Sequence, residues 1–335
     1  MNSRMKAVWW RPQNAEVDHD VQALSAIGVT DVLVWAEPFV DRLQEWQQLR
    51  RKVQSREISF HTWITVNHHY GSSFIERLRS HPDWIAVGYD GVPSSVKPLA
   101  GTQVWACPAN PERWRAEWNI WEPLVLGSDG LNLDYIRYPD GFRFGETPEV
   151  GRVEVPEQSF CYCDRCQSRF RQDAGIDPRT IAIDQRNPAF LTWQSWRQDQ
   201  IVEQVKWYRS VLEKDGPHRI CLSADVFPTP SIARNNVQQD WARFGPVLDF
   251  VCPMIYAKAF WGQPSSWIAD AVEEGQRELA GSARLIAGIG PHTVYSPKEL
   301  QEALWAARFG GSDGETVFCH PMTADYLKSM AAAWQ

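Results

Sequence analysis

Two carboxylates stand where short apolar runs are about to leave a core. In "GLNLDYIRYPDG" (130–141), Leu131, Leu133 and Ile136 call for burial, while Asn132, Asp134 and Arg137 are set among them. In "RICLSADVFP" (219–228), Asp225 follows a second run of the same kind. Two carboxyls on neighbouring strands can face each other across a cleft. One can then protonate a leaving oxygen while the other attacks the anomeric carbon or activates water, provided their surroundings hold their pKa values apart. Cleavage of a glycosidic bond needs this pairing. Each residue also has a structural reading: Asp134 can pair with Arg137, and Asp225 can cap the turn at "VFP".

Other polar groups fall at the ends of apolar runs. Glu37 follows "DVLVWA", and Asn67, His68 and His69 follow "SFHTWITV". Tyr256 and Lys258 follow "LDFVCPMI", His292 follows "RLIAGIGP", and His320 ends "ETVFC". Glu37, Asn67, His69, Arg137, Tyr256, Lys258 and His292 are the candidate substrate contacts. On an extended strand Asn67 and His69 share a face and His68 takes the other. The "NHH" run lacks the i, i+4 spacing of a helical zinc-protease motif. A metal-dependent hydrolase built on the histidines is therefore the weakest of the readings.

The elements that must hold these residues alternate. Strand-like runs at 6–10, 31–38, 59–69, 130–138, 219–228, 248–257, 284–292 and 315–320 are separated by amphipathic stretches. The helical stretches fall at 18–27, 41–56, 111–126, 189–214, 233–244, 265–280 and 297–309, with one more at the end. Short β-rich runs divided by helices imply parallel strands with crossover helices. Eight such units fit a single (β/α)8 TIM barrel over residues 1–335, with long insertions after strands three and four at about 70–111 and 139–188. A doubly wound sheet is the alternative, but no glycine-rich phosphate turn follows the first strand. In a barrel, function collects at the C-terminal strand ends, where all of these polar groups lie.

Composition narrows the partners. The 335 residues are 44% hydrophobic and 22% charged, with a net charge of −7. That balance argues against a nucleic-acid groove, which needs a positive field. No run of about 18 apolar residues exists to span a membrane. The opening "MNSRMKAVWW" has no apolar leader or cleavage site, so a cytoplasmic location is expected. Eighteen tryptophans are many. Most will fill the core, and some can stack on the apolar face of a sugar ring.

Cys161, Cys163 and Cys166 form C-x-C-x-x-C. Zinc takes four thiolate or imidazole ligands in a tetrahedron, so a fourth must come from elsewhere, and Cys107 in "WACPANP" is the candidate. Such a zinc would be structural, with no open position, and catalysis itself would need no cofactor. Reduced thiols are the alternative. The set is similar to the four-cysteine zinc site of family 42 β-galactosidases, in which an early cysteine joins a C-x-C-x-x-C run.

The ordered series "GLNLDYIRYPDG", "CYCDRCQSRFRQDAG", "WRQDQI", "LSADVFP", "QDWARF" and "LDFVCPMIYA" resembles the "family 10 glycosylhydrolase" group of bacterial barrel proteins. The resemblance covers about residues 105–260 with specific motifs and the rest more loosely. It implies a (β/α)8 barrel acting on a carbohydrate, or descended from enzymes that do, with Asp134 as the leading catalytic carboxylate. Asp225, Arg137, Asn67 and Tyr256 carry over with less weight. If the reaction is retaining, Asp134 is the expected nucleophile and Asp225 the acid/base. A carbohydrate-binding barrel without catalysis is the competing reading, decided by whether Asp225 faces Asp134.

Overall fold

The computed structural model describes residues 4–13, 17–69, 71–96, 104–140, 150–151, 153–156, 159–214, 219–290, 294–318 and 323–335. Eight parallel strands close into a barrel: β1 (Met5–Trp10), β2 (Asp31–Trp35), β3 (Ser59–Thr65), β4 (Gly130–Asp134), β5 (Cys221–Val226), β6 (Phe250–Pro253), β7 (Arg284–Ile289) and β8 (Gly314–Phe318). Neighbours in sequence are neighbours in space, and β1 pairs β8 from Met5↔Gly314 to Trp9↔Phe318 to shut the ring. The expected (β/α)8 barrel is thus what the chain forms, and the doubly wound alternative falls.

Helices surround the ring: α1 (Val17–Ala26), α2 (Leu43–Gln54), α3 (Ser72–Ser80), α4 (Pro111–Val125), α5 (Asp164–Ala174), α6 (Pro188–Leu212), α7 (Pro230–Val237), α8 (Trp241–Phe244), α9 (Trp267–Leu279), α10 (Pro297–Phe309) and α11 (Ala324–Trp334). Their starts are written in the sequence. Asn110 caps α4 by accepting from the Glu112 and Arg113 backbone N–H groups, and Pro111 takes the first helical position, where no N–H is needed. Ser296 and Glu299 form a reciprocal capping box on α10.

Side chains alternate along each strand, which divides the apolar residues into two sets. Val32, Val34, Leu131 and Leu133 pack outward against the helices. Trp9, Leu33, Trp63, Phe250, Cys252 and Ile286 fill the barrel interior. Interior space is tight. A Cβ on Gly288 of β7 would come within 2.3 Å of the Trp9 indole, so glycine there makes room for the largest side chain near the mouth.

One expected helix is two. Residues 233–244 break at Gln238, which adopts a left-handed φ of 64° between α7 and α8. The break turns Gln239 inward. Its side chain accepts from the Phe227 backbone N–H and donates to the carbonyls of Asp225 (3.0 Å) and Ile136 (3.3 Å). Gln239 therefore ties together the exits of β4 and β5, the two strands that carry the carboxylates.

The insertions lie where expected. After β3 the chain forms α3 and a short antiparallel pair, His68–His69 with Val104–Trp105. After β4 it forms α5. The two insertions are joined by backbone hydrogen bonds from Tyr89 to Ser159 (3.0 Å) and from Tyr162 to Val87 (2.7 Å).

Candidate active site

Asp134 and Asp225 end up side by side. The β4–β5 register runs Asn132↔Ser223 and Leu133↔Ala224, so the next rung sets Asp134 opposite Asp225. Alternation sends Leu133 and Ala224 to the helix layer and both carboxylates into the barrel, on the same face as Asn132 and Ser223. Asn132 confirms this facing by donating to both Ser223 Oγ and Asp225 Oδ1 at 3.1 Å. Asp134 Oδ2 accepts from the Trp63 indole at 3.0 Å, and its Oδ1 accepts from the Tyr135 backbone at 2.7 Å. The turn that follows is unusual: Tyr135 has a φ of 54°, sparsely populated for a residue with a Cβ. Such a conformation costs about 1–3 kcal/mol and persists where the surroundings dictate it.

Their environments separate the two carboxyls. Burial pushes Asp134 above the ordinary carboxylate range, while the Arg137 charge, the Trp63 and Tyr135 bonds and the Arg11 charge restrain the rise. Asp225 is pushed well above that range, first by burial and then by the negative charge on Asp134, with Asn132 and Trp9 opposing. The result is a carboxyl that keeps its proton beside one that gives its proton up more readily. Tyr256 completes the floor. Burial and the charges of Asp225 and Asp134 hold its phenol well above its usual pKa, so it stays a hydroxyl.

Arg137 lies close by, at the mouth where a substrate contact was expected, but it does not pair directly with Asp134. Its direct ion pair is with Asp140 at 2.9 Å, not with Asp134, which feels only its charge. Its guanidinium stacks 4.8 Å from the ring centres of Trp105, Tyr135 and Phe227. Beside it opens a cavity of about 190 Å³ lined by Tyr135, Arg137, Phe227, Met254, Tyr256 and Trp261 among others. Aromatic faces with a few polar groups make a wall suited to a sugar ring.

Four other candidates are not brought to this floor. Asn67 is fully buried and bonded to the Arg113 guanidinium and the Gln204 amide, because the chain has left the barrel wall at Val66. His69 is fully buried between helices. Its ring stacks on Phe74 and its Nε2 lies 3.3 Å from Glu117 of α4, which itself pairs with Arg113. Glu37 accepts from the Gly71 backbone at 2.6 Å and so anchors the loop after β3. Lys258 is exposed and pairs with Glu299 of α10 at 2.8 Å. His292 and His320 lie outside the described residues.

Sequence reasoning missed Arg11. It follows β1 directly, and its guanidinium sits 4.5 Å from the Trp35 ring centre, 5.3 Å from Trp63 and 5.2 Å from Phe318. It is the second cation acting on Asp134. The signal was available, since Arg11 is a charged residue at a strand's C-terminal end. Trp9, Trp35 and Trp63 were likewise indistinguishable from core tryptophans until the register placed them inside the mouth.

Cys107, Cys161, Cys163 and Cys166 gather in one buried group. Their sulfur atoms all lie within 4.8 Å of one another. Among the described residues, this is the one group of three or more His, Cys, Asp or Glu side chains placed to share an ion.

Comparison with known proteins agrees with the architecture. Solved structures that match along almost the whole chain include the PgaB (BpsB) glycoside hydrolase domain from Bordetella bronchiseptica (TM-score 0.70, 13% identity, 99% of this chain and 98% of that one). The catalytic domain of a β-amylase from Paenibacillus polymyxa also matches (TM-score 0.65, 11% identity, 99% and 98%). So does a class V chitinase from Nicotiana tobaccum, solved with NAG4 (TM-score 0.52, 9% identity, 99% and 99%). At these identities the likeness is one of fold. No curated protein matches the sequence significantly. A family profile matches residues 79–277, more than half of the chain, and takes in both carboxylates, Tyr256 and all four clustered cysteines. The chain belongs to that family, described as "Putative glycosyl hydrolase domain".

Proposed function

We propose that this barrel hydrolyses a glycosidic bond of an oligo- or polysaccharide, with Asp225 as the proton donor and Asp134 as the ionised partner. The observation that carries the reading is the pairing of β4 with β5, which brings Asp134 and Asp225 to neighbouring strand ends, with burial and the Asp134 charge raising Asp225 the further of the two. A binding barrel without catalysis would have no use for that pairing. We favour a retaining reaction, which takes a pair about 5–5.5 Å apart, over an inverting one, which needs about 6.5–9.5 Å to leave room for a water. Asp134 is then the nucleophile. Tyr256 and the ring-lined cavity beside Arg137 supply the sugar contacts.

The finer family 10 label is our reading of the same region, carried by "LDYIRYP" and "VCPMIY" in the sequence. Among the described residues no helix is long and apolar enough to cross a membrane. A reducing, cytoplasmic setting, which leaves cysteines available to a metal, is the one we propose for the chain.

The test is a panel of α- and β-linked oligosaccharides incubated with the wild-type chain, followed by reducing-end release and by NMR of the first-formed anomer. Hydrolysis with the substrate's anomeric configuration kept is the expected result. Sugar binding without release of reducing ends across the panel would favour the non-catalytic barrel.

A further inference from the structure

We infer that Cys107, Cys161, Cys163 and Cys166 bind one structural zinc ion that locks the two mouth insertions together. All four side chains are buried, and they come from two segments far apart in sequence. Cys107 precedes the Asn110 cap of α4, and the other three lead into α5. The Cys107 sulfur lies 3.5 Å from that of Cys166 and 3.6 Å from that of Cys163. Zinc–sulfur bonds of about 2.3 Å in a tetrahedron set sulfurs about 3.8 Å apart, so the quartet is already close to that size. A disulfide would need about 2.05 Å. An iron–sulfur cluster would hold its thiolates farther apart, because the cluster stands between them. The outer contacts also fit a metal site. The Val87 backbone N–H donates to Cys161 Sγ at 3.3 Å, and Cys163 sits at the N-terminus of the 11-residue α5, whose dipole favours negative sulfur.

The ion would act on the mouth through a short path. Trp105 lies two residues before Cys107, and its ring packs 5.6 Å from Tyr135 and under the Arg137 guanidinium. Tyr135 follows Asp134 directly. A clamp at the cysteines therefore holds the aromatic wall beside the floor. The metal assignment stands apart from the proposed reaction, and its effect on turnover rests on that reading.

Elemental analysis of the full chain, purified under reducing conditions from zinc-supplemented medium, tests it. About one zinc per chain is expected, released in step with thiol modification by a mercurial. Cobalt-loaded protein should show thiolate-to-cobalt charge transfer and the visible bands of a tetrahedral site. Cys163→Ser and Cys166→Ser should each lose the metal and lower Tm. Should those variants fail to fold, the release from wild type and the cobalt spectrum still decide. Metal-free wild-type protein with four freely titrating thiols would overturn the assignment, as would stoichiometric iron or a disulfide among the four. Zinc present while hydrolysis is absent would leave the clamp standing and count against the proposed reaction alone.

Discussion

Asp134→Asn is expected to lower kcat/KM on the best substrate about 10³-fold or more while leaving the fold intact, since removing a single essential acid–base group costs about 10²–10⁴ and a nucleophile at least as much. The amide is close in shape to the carboxylate it replaces. Its oxygen can still accept from the Trp63 indole or the Tyr135 N–H, but not from both in the present geometry. One donor loses its partner, at a cost of about 1–3 kcal/mol, which a barrel of this size absorbs. What disappears is the negative charge at the floor. The change reaches Asp225 as well: with the Asp134 charge gone, the second cause of its raised pKa goes with it. Steady-state kinetics with circular dichroism as the folding control would check this. A variant within tenfold of wild type would remove Asp134 from the mechanism.

Asp225→Asn carries the second large effect, and its signature is selective. As proton donor, Asp225 matters in proportion to how poor the leaving group is. Oligosaccharide hydrolysis should fall about 10²–10⁴-fold, whereas an aryl glycoside whose phenol departs without a proton should lose far less. The pH profile gives the sign. Asp134 must be ionised, so wild-type activity is lost as pH falls through the lower macroscopic pKa of the pair. Asp225 must be protonated, so activity is lost as pH rises through the upper one. The variant should lose the alkaline limb and keep the acidic one. Stability should move the other way. A carboxyl whose pKa is raised on folding binds its proton more tightly in the folded state, so ionising it destabilises the fold as pH climbs from the ordinary carboxylate value toward the raised one. Asparagine does not titrate, and the variant should melt above wild type at neutral pH. An equal loss on both substrate types, with both limbs retained, would deny Asp225 the role of acid.

Much of this is legible in the sequence. The alternation of apolar runs and helices is enough for eight units, and strand ends are where a barrel does its chemistry. Asp134 and Asp225 end their strands within the ladder, where alternation alone decides which way a side chain points. Asn67, His69 and Lys258 come after their strands have ended. There the backbone turns, and period-two logic no longer governs direction. Asn67 and His69 were drawn into the Arg113–Glu117 network under α4, and Lys258 went outward to Glu299. Glu37 also lies past its strand, and a backbone N–H from a distant loop uses its carboxylate. Arg11 shows the converse. An arginine before a proline reads as a solvated turn until the rings of Trp35, Trp63 and Phe318 are seen around it. The role of Gln239 was out of reach for a similar reason, since nothing local announces that a helix will break at Gln238.

The most direct test of the floor is a crystal structure of the Asp134→Asn variant with an intact oligosaccharide. The account predicts an anomeric carbon about 3–3.5 Å from the side chain at position 134. The same bond's oxygen should lie within about 2.6–3.2 Å of Asp225, with a sugar ring against Tyr256. An oligosaccharide seated away from both residues, or an Asp225 carboxyl turned from the bond, would contradict it.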